Sequence, residues 1–336
     1  MIAKIYKNPY IRFILFGVLA AMVPTLADWG VIRFGTITTL TQVIYFGIAA
    51  LGLNLLLGYS GSISLGTAGF MGLGAYIAAY VLSDLNMSFL LGILIAILVP
   101  TAIGILVGLV SLRISGLYLA IATLCVSEIL LESFRQATDI TGGMSGKRTS
   151  FPSIFGYTFD RASTFIFLVA VLVLVMILTY NLVNSHLGRA FNAMRGSEVA
   201  AQAMGVNLLK YRLIAFALAT AYAGLAGALC AYYIRAVSPT QWSLNLSLLC
   251  LAAVVIGGFR SIYGTVLGAF VVWAVPDLFL KRLPIIGDNP AIPFIFNGVL
   301  IIVVIMFYPH GLVHITHDAR KLLNKLKKRG KGDADA

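Results

Sequence analysis

Formal charge is what this sequence most lacks. Only 11% of its 336 residues are charged, whereas 60% are hydrophobic, and the mean hydropathy is +0.96. Residues 34–83 form a run of fifty positions without Asp, Glu, Lys or Arg. A charge at the centre of a bilayer costs several kcal/mol or more, so such runs are typical of lipid-embedded segments. Intrinsic disorder and a soluble multidomain enzyme are excluded by this composition.

Cysteine and histidine are also scarce. The three cysteines stand in apolar runs without a CxxC spacing and are interpreted as packing residues: Cys125, Cys230 and Cys250. Three of the four histidines have a spacing that could place them on one helical face: His310, His314 and His317. Pro309 and Gly311 disturb that helix, so interfacial histidines are favoured over metal ligands. We expect no metal, no cofactor and no catalytic residue.

What the sequence has instead is a series of uncharged stretches, each long enough to cross about 30 Å of hydrocarbon as one helix. In lipid, backbone N–H and C=O groups must form their hydrogen bonds within the protein, which favours helices. The runs lack the alternation of polar and apolar residues that is typical of β-barrel strands. The sequence therefore predicts an all-α, polytopic transmembrane bundle of about ten spans. The predicted spans are 10–27, 36–57, 63–82, 89–112, 116–134, 163–183, 211–234, 244–258, 262–280 and 293–309.

The distribution of Lys and Arg predicts the orientation of these spans. If both termini are cytoplasmic, the inner segments hold 16 of the 24 basic residues. The N-terminus resembles a cleavable signal peptide. Both termini can be cytoplasmic only with an even number of spans, so we expect the first span to be retained. We expect a membrane domain over 1–312 and a basic cytoplasmic tail over 313–336. The net charge of +12 favours attraction to anionic membrane lipid, and no nucleic acid is expected as a partner.

A cytoplasmic segment between two spans, residues 185–210, has apolar residues at helical spacing and separate polar faces. Gly196 and Ser197 interrupt it, Ser197 can cap a second helix, and Gly205 can end that helix. One interpretation is an interfacial helix resting on lipid headgroups. The other is a pair of short helices that dock into a groove on a cytoplasmic partner. The residues alone leave the two interpretations about equal.

Small residues are concentrated over 58–75, where Gly, Ser, Thr and Ala predominate. They can let helices approach closely, which is the simpler interpretation for any single residue. They can also allow the backbone to break where it lines a path, and a broken helix points its N–H groups at a guest, which suits a carboxylate. For the segment as a whole we favour lining of the path. A second Gly-rich turn, 257–265, follows the eighth span on the same predicted side.

Glu128 is the only acidic residue that the predicted spans place well inside the membrane. An intramembrane acid is a functional hypothesis by default. A structural hydrogen bond to a neighbouring helix is the favoured alternative, and a neutral, protonated acid is another. Tyr118 and Thr123 on the same span are candidates of lower rank.

Two motifs resemble known binding or catalytic motifs but lack residues that those motifs require. Residues 142–149 resemble a phosphate-binding loop, but Thr141 replaces the first Gly and Arg148 replaces the Ser or Thr. We therefore expect no nucleotide binding by this chain. Residues 58–61 match the G-x-S-G of intramembrane serine proteases, but every histidine lies at or beyond a predicted helix end, so a general base for Ser60 is not expected.

Several short motifs occur in a shared order along nearly the whole chain. They are Gly58-Tyr59-Ser60-Gly61 with residues 64–76, Gly116–Leu124 followed by Glu128, Thr141-Gly142-Gly143, Gly188-Arg189-Ala190-Phe191, Gly224–Leu229, Ser238-Pro239, Gly257-Gly258, Gly264–Ala269 and Pro309-His310-Gly311-Leu312. In this order they resemble the permease subunits of ATP-binding-cassette importers, specifically the branched-chain amino acid permeases of the Liv-M type. Importer permeases often carry a docking motif of Glu-Ala-Ala, three further residues and then Gly. This chain departs from it, because Glu198-Val199-Ala200-Ala201 has one insertion and Gly205 lies seven residues after the Glu.

The resemblance implies a non-enzymatic permease subunit of an ATP-driven importer for branched-chain amino acids, in the inner or plasma membrane of a prokaryote. It implies three partners: cytoplasmic ATPase subunits, a second related permease and an extracytoplasmic solute-binding protein. The expected substrate path uses Ser60, Ser62, Ser64, Gly66, Thr67, Tyr118 and Glu128. The expected ATPase-coupling residues are Gly188, Arg189, Arg195, Glu198, Ala200, Ala201 and Gly205.

Three alternatives stay open at this point. A permease for urea or short amides would have a similar sequence. A secondary transporter should carry more buried charge for ion coupling than Glu128 alone. An intramembrane serine protease would need a histidine close to Ser60.

Overall fold

The computed structural model describes residues 9–24, 34–110, 116–150, 152–154, 157–278, 292–307 and 311–312. Within these ranges the chain is almost entirely helical. The helices are α1 Pro9–Ala21, α2 Phe34–Leu53, α3 Thr67–Ser83, α4 Phe89–Val110, α5 Leu117–Gln136, α6 Arg161–Asn184, α7 His186–Gly196, α8 Glu198–Ala203, α9 Leu208–Ile234, α10 Leu244–Gly257, α11 Ile262–Ala269 and α12 Ile292–Phe307.

Several shorter elements extend or connect these helices. A π-helical turn, Asn54–Tyr59, ends α2, and another, Phe270–Ala274, continues α11 into Val275–Leu278. Single turns occupy Thr138–Thr141, Gly143–Ser145 and Pro239–Trp242. Strand β1, Lys147–Arg148, pairs antiparallel with β4, Ala236–Val237, and β2, Ser153–Ile154, pairs antiparallel with β3, Tyr157–Thr158.

The all-α prediction is confirmed, and each of the ten predicted spans corresponds to one helix other than α7 and α8. By length and composition, five of these helices can cross a membrane: α2 with its π turn, α4, α5, α6 and α9. The others are shorter apolar helices, such as α3 with 17 residues and α10 with 14. Ten crossings therefore stay a prediction. The basic tail, 313–336, lies outside the described residues.

Helix α9 is the centre of the bundle, where it packs against α2, α3 and α4. Its apolar window is 72% buried, compared with 22% for α4, so α4 presents most of its surface outward. Glycine makes the close approach possible. A Cβ atom at Gly224 of α9 would overlap the carbonyl oxygen of Ala96, and one at Gly74 of α3 would overlap the backbone of Gly224. Small residues at these crossings replace side-chain packing with backbone contact.

The loops lie at two ends of the bundle. Each end is defined here by the contacts between its loop residues. At one, which we call the Arg195 end, residues from 58–61, α7 and 258–261 touch one another. At the other, the Lys147 end, Lys147 pairs with Asp84, and Ser83 Oγ donates to the carbonyl of Arg148 over 3.3 Å. Two turns and one helix that the sequence assigns to one side of the membrane therefore meet at one end of the bundle.

Candidate functional site

Helix α2 does not continue into α3 but breaks within the bundle. The π turn Asn54–Tyr59 is followed by an extended stretch, 61–66, before α3 begins at Thr67. Most residues of this break are buried, and Gly61 is exposed at a φ of +78°. A buried break leaves backbone groups that need hydrogen-bond partners, since an unpaired group in lipid costs several kcal/mol. The side chains that supply those partners make up the site.

Asn54 supplies the first set of partners and is only 1% exposed. Its Nδ2 donates to Thr265 Oγ1 over 2.7 Å and to the carbonyl of Ser261 over 3.3 Å. Its Oδ1 accepts from the backbone N–H of Arg260 over 3.1 Å. Tyr59 adds a parallel bond, because its hydroxyl donates to the carbonyl of Arg260 over 2.7 Å. The π turn of α2 is thus joined side by side to the turn that precedes α11.

Hydroxyl groups from two other helices supply the second set. Three amides at the start of α3 donate to them: Leu65 to Thr123 Oγ1 (3.0 Å), Ala68 to Ser247 Oγ (2.9 Å) and Gly69 to Ser127 Oγ (3.0 Å). The prediction that the broken helix points free N–H groups at a solute carboxylate is therefore wrong for these three amides. Their bonds instead fix the break against α5 and α10.

The predicted path residues divide into two groups. Five of them are buried in the break: Ser60, Ser62, Ser64, Gly66 and Thr67. The cavity that adjoins Ser64 and Thr67 has a volume of about 10 Å³. Such a volume holds about one water molecule and cannot hold an amino acid. The break is therefore tightly packed in this conformation.

The other two path residues lie on the opposite face of α5. Tyr118 is 76% exposed and Glu128 is also exposed, whereas Thr123 and Ser127 of the same helix contact the break. Exposed Ile121, Cys125 and Glu132 continue the outer face at helical spacing. Helix α5 therefore separates the two groups, with its inner face on the break and its outer face uncovered by any described part of this chain.

The predicted coupling segment forms two short helices with the expected ends. Ser197 separates α7 from α8, and its hydroxyl accepts from Ala200 N over 3.3 Å. Gly205 follows α8 with a left-handed φ of +82°. The predicted interruption, cap and stop are thereby confirmed. Among the predicted contact residues, Gly188 and Ala201 are buried, while Arg189, Arg195, Glu198, Ala200 and Gly205 are exposed.

The tip of α8 carries two large apolar side chains that face outward. Val199 is 80% exposed and Met204 is 84% exposed. Behind them, Glu198 pairs with Arg212 at the start of α9, whose side chain is 10% exposed. This apolar tip, held onto a membrane-spanning helix by an ion pair, suits contact with another protein.

Arg195 connects α7 to the break. Its guanidinium donates to the carbonyl oxygen of Gly58 in the π turn, and it lies 5.8 Å from the ring centroid of Phe259. A Cβ atom at Gly61 would lie 3.3 Å from Cγ of Arg195. Partial burial lowers the pKa of Arg195, and the positive charge of Arg260 acts in the same direction. Arg195 is thus a direct contact between α7 and both turns of the site.

Four residues of the site escaped the sequence-based prediction of the path: Asn54, Ser127, Ser247 and Arg260. Asn54 carries a usable signal, because it is the only Asn in a charge-free span of small and apolar residues. The two serines carry no such signal, since hydroxyls bonded to their own helix are common in membrane spans. The requirement for a partner at positions 65, 68 and 69 appears only once the break is placed.

The serine protease interpretation gains no support at this site. The Ser60 hydroxyl donates to the carbonyl of Leu56 over 2.6 Å. His186 is exposed and lies 3.1 Å from the Tyr211 hydroxyl. The remaining histidines, at 310, 314 and 317, lie outside the described residues. Within the described ranges, no group of His, Cys, Asp and Glu could hold a metal ion.

Comparison with known proteins gives consistent results. The family model described as "Branched-chain amino acid transport system / permease component" matches residues 35–305. The high-affinity branched-chain amino acid transport system permease protein LivM of Escherichia coli K12 is 32% identical over 332 residues, covering 91% of this chain and 75% of that protein. LivM of Salmonella typhimurium LT2 is 31% identical over 313 residues, covering 86% and 72%.

More distant similarity extends to an importer of another solute class. The ribose import permease protein RbsC of Haemophilus influenzae is 28% identical over 243 residues, which cover 69% of this chain and 73% of that protein. No solved structure matches the chain. The matched region of the family model includes the break, both docking helices and the outer face of α5.

Replacing Asn54 by Leu should destabilise the protein, because it leaves the N–H of Arg260 without its acceptor and removes the bond to Thr265, whose hydroxyl keeps only its bond to the carbonyl of Ser261. Each unsatisfied buried group costs about 1–3 kcal/mol. We expect a clear drop in the thermal unfolding midpoint of the purified protein in detergent. Asn245→Leu is the matched control, since Asn245 is exposed on α10. Equal midpoints for the two variants would show that the Asn54 network contributes nothing.

Proposed function

Because the chain belongs to the family of branched-chain amino acid transport permeases, we propose that it is the transmembrane permease subunit of an ATP-driven importer for these amino acids. The observation that carries the proposal is the match over 91% of the chain to a LivM permease, together with docking helices joined to a broken membrane helix. The subunit is not itself an enzyme. It provides a path and takes its energy from a separate ATPase.

The proposal also includes the cellular membrane and the membrane topology of this subunit. It is a multi-pass protein of the inner or plasma membrane of a prokaryote, with about ten spans and both termini cytoplasmic. The Arg195 end then faces the cytoplasm, consistent with the Lys and Arg distribution. The membrane domain covers 1–312, and the basic tail, 313–336, lies along the anionic leaflet. A reporter fused at Gly146 should be extracytoplasmic, and a cytoplasmic signal would contradict this orientation.

Three protein partners follow from the proposed function. An extracytoplasmic binding protein delivers the solute at the Lys147 end, and ATPase subunits bind α7 and α8 at the Arg195 end. A second, related permease covers the outer face of α5. Glu128 supports the last assignment, because a carboxylate on a lipid-facing surface would cost several kcal/mol. Facing a partner across a solvated path, the same carboxylate is tolerated.

The contacts of α7 and α8 support a mechanism in which a few residues couple ATP binding to movement of the break. ATP binding moves the ATPase surface that holds Val199 and Met204. Arg195 and the Glu198–Arg212 pair pass that displacement to the π turn and to α9. The break over 60–67 then shifts against the inner face of α5, and the outer face changes its exposure to the path. Such a change needs contacts that differ between the two states, and Arg195 provides one.

The function is tested in liposomes that contain the assembled transporter with its binding protein. We expect ATP-dependent accumulation of leucine and no accumulation of urea. The isolated chain should accumulate neither, because it has no energy source of its own. Urea uptake in place of leucine would favour the short-amide alternative, and uphill uptake by the isolated chain would contradict the permease-subunit assignment.

The docking role is tested in the same assay by Met204→Gln. Loss of a central apolar contact should lower ATPase attachment and leucine uptake by about tenfold, as at other interface hot spots. Met87→Gln is the matched control for ATPase attachment, since Met87 is 44% exposed near the Lys147 end, away from α7 and α8. Normal uptake by the Met204 variant would show that the exposed tip of α8 does not dock the ATPase.

Glu128→Gln tests the outer face of α5. If the carboxylate lines the path, the substitution should reduce leucine uptake severalfold while leaving assembly intact. Glu132→Gln is the comparison on the same face: Glu132 is bonded to Arg135 and Gln136 of its own chain, so its substitution should reduce uptake less than Glu128→Gln. Unchanged uptake by Glu128→Gln would remove this residue from the path.

A further inference from the structure

A cavity of about 310 Å³ lies between α1, α2, α6 and α11, well away from the break and the docking helices. Its lining side chains are aliphatic or aromatic, with Phe16 and Ala20 from α1, Val43 from α2, Phe165 and Met176 from α6 and Leu267 from α11. Protein interiors contain few voids larger than a water molecule, and apolar cavities do not hold water. A void of this size therefore calls for an apolar occupant.

The shape of the cavity narrows the choice of occupant. Phe165 and Met176 are eleven residues apart on one helix, which corresponds to about 16 Å along its axis. This length is about half of a 30 Å hydrocarbon core, enough to take most of one acyl chain. Leu267 is 47% exposed, so the cavity opens sideways to the lipid. A helix about 10 Å wide cannot enter such a slot, whereas a single hydrocarbon chain can.

One end of the cavity carries polar groups. Tyr263 lines the cavity in the first turn of α11, next to the Arg195 end, and its ring stacks on Phe13 at 4.8 Å. The Tyr263 hydroxyl is buried and has no hydrogen-bond partner among the described residues. Arg12 of α1 lies within electrostatic range of that phenol. A buried hydroxyl without a partner requires an explanation, and a lipid ester or phosphate oxygen would supply one.

We propose that this cavity is a phospholipid site that takes one acyl chain and selects an anionic headgroup through Tyr263 and Arg12. The acyl chain fills the slot between α1, α2, α6 and α11, and the phosphate lies at the Arg195 end. The lipid thereby acts as a fixed part of the packing between α1 and the rest of the bundle. The site is independent of the solute path, and only its assignment to the cytoplasmic leaflet rests on the proposed orientation.

The site is tested by native mass spectrometry of the purified transporter, delipidated and then titrated with phosphatidylglycerol or phosphatidylcholine. We expect one retained phosphatidylglycerol per chain. Ala20→Phe places a ring in the slot and should reduce retention by about tenfold, because the ring displaces several buried methylene groups. Ala102→Phe is the matched control, since Ala102 is exposed on α4 outside the cavity. Leu267→Trp, which narrows the mouth, replaces Ala20→Phe if that variant does not fold.

Arg12→Gln separates headgroup recognition from acyl-chain binding. This variant should bind phosphatidylglycerol and phosphatidylcholine about equally, whereas the unmodified chain prefers the anionic lipid. Equal retention by Ala20→Phe, Leu267→Trp and Ala102→Phe would overturn the proposed acyl-chain site. An unchanged lipid preference in Arg12→Gln would overturn the assignment of the headgroup contact. Leucine uptake is measured in parallel, so that failure of the lipid site is distinguished from failure of the proposed function.

Discussion

The structure depends on one constraint: a helix broken inside an apolar bundle must have its backbone groups satisfied by the protein itself. Helix α2 ends in a π turn, and α3 starts only at Thr67. Asn54 bonds the turn to residues 260–265, and hydroxyls from α5 and α10 hold the first amides of α3. The break is therefore a defined conformation. Its bonds bring four helices and two turns into one network.

That network explains how an event at the surface can reach the membrane interior. Arg195 lies on a docking helix but donates its hydrogen bond to Gly58 in the break. The exposed tip of α8 is likewise joined through Glu198 to Arg212 at the start of α9, the central helix. In the proposed mechanism, a displacement of α7 and α8 would act on both the break and the core. Because the cavity beside Ser64 and Thr67 is so small, opening a path there requires such a displacement.

Much of this architecture was predictable from the sequence, for stated reasons. Uncharged runs predict the helices, and Ser197 and Gly205 predict the ends of α8, because capping and left-handed glycine are local effects. The partners of the break were not predictable, since Ser127 and Ser247 become significant only when tertiary packing brings them to the amides of α3. The division of the path residues was missed for the same reason: spacing along α5 does not reveal which face meets the break.

The central claim is that Arg195 transmits movement of the partner ATPase to the break. One measurement tests this claim most directly. The number of ATP molecules hydrolysed per leucine imported is compared for Arg195→Gln and Lys210→Gln in the reconstituted transporter. Lys210 is exposed in the first turn of α9 and is not among the predicted coupling residues, so it controls for the loss of a positive charge. The account predicts that Arg195→Gln continues to hydrolyse ATP with severalfold less import, while Lys210→Gln keeps the ratio of the unmodified protein. Equal ratios in the two variants would contradict it.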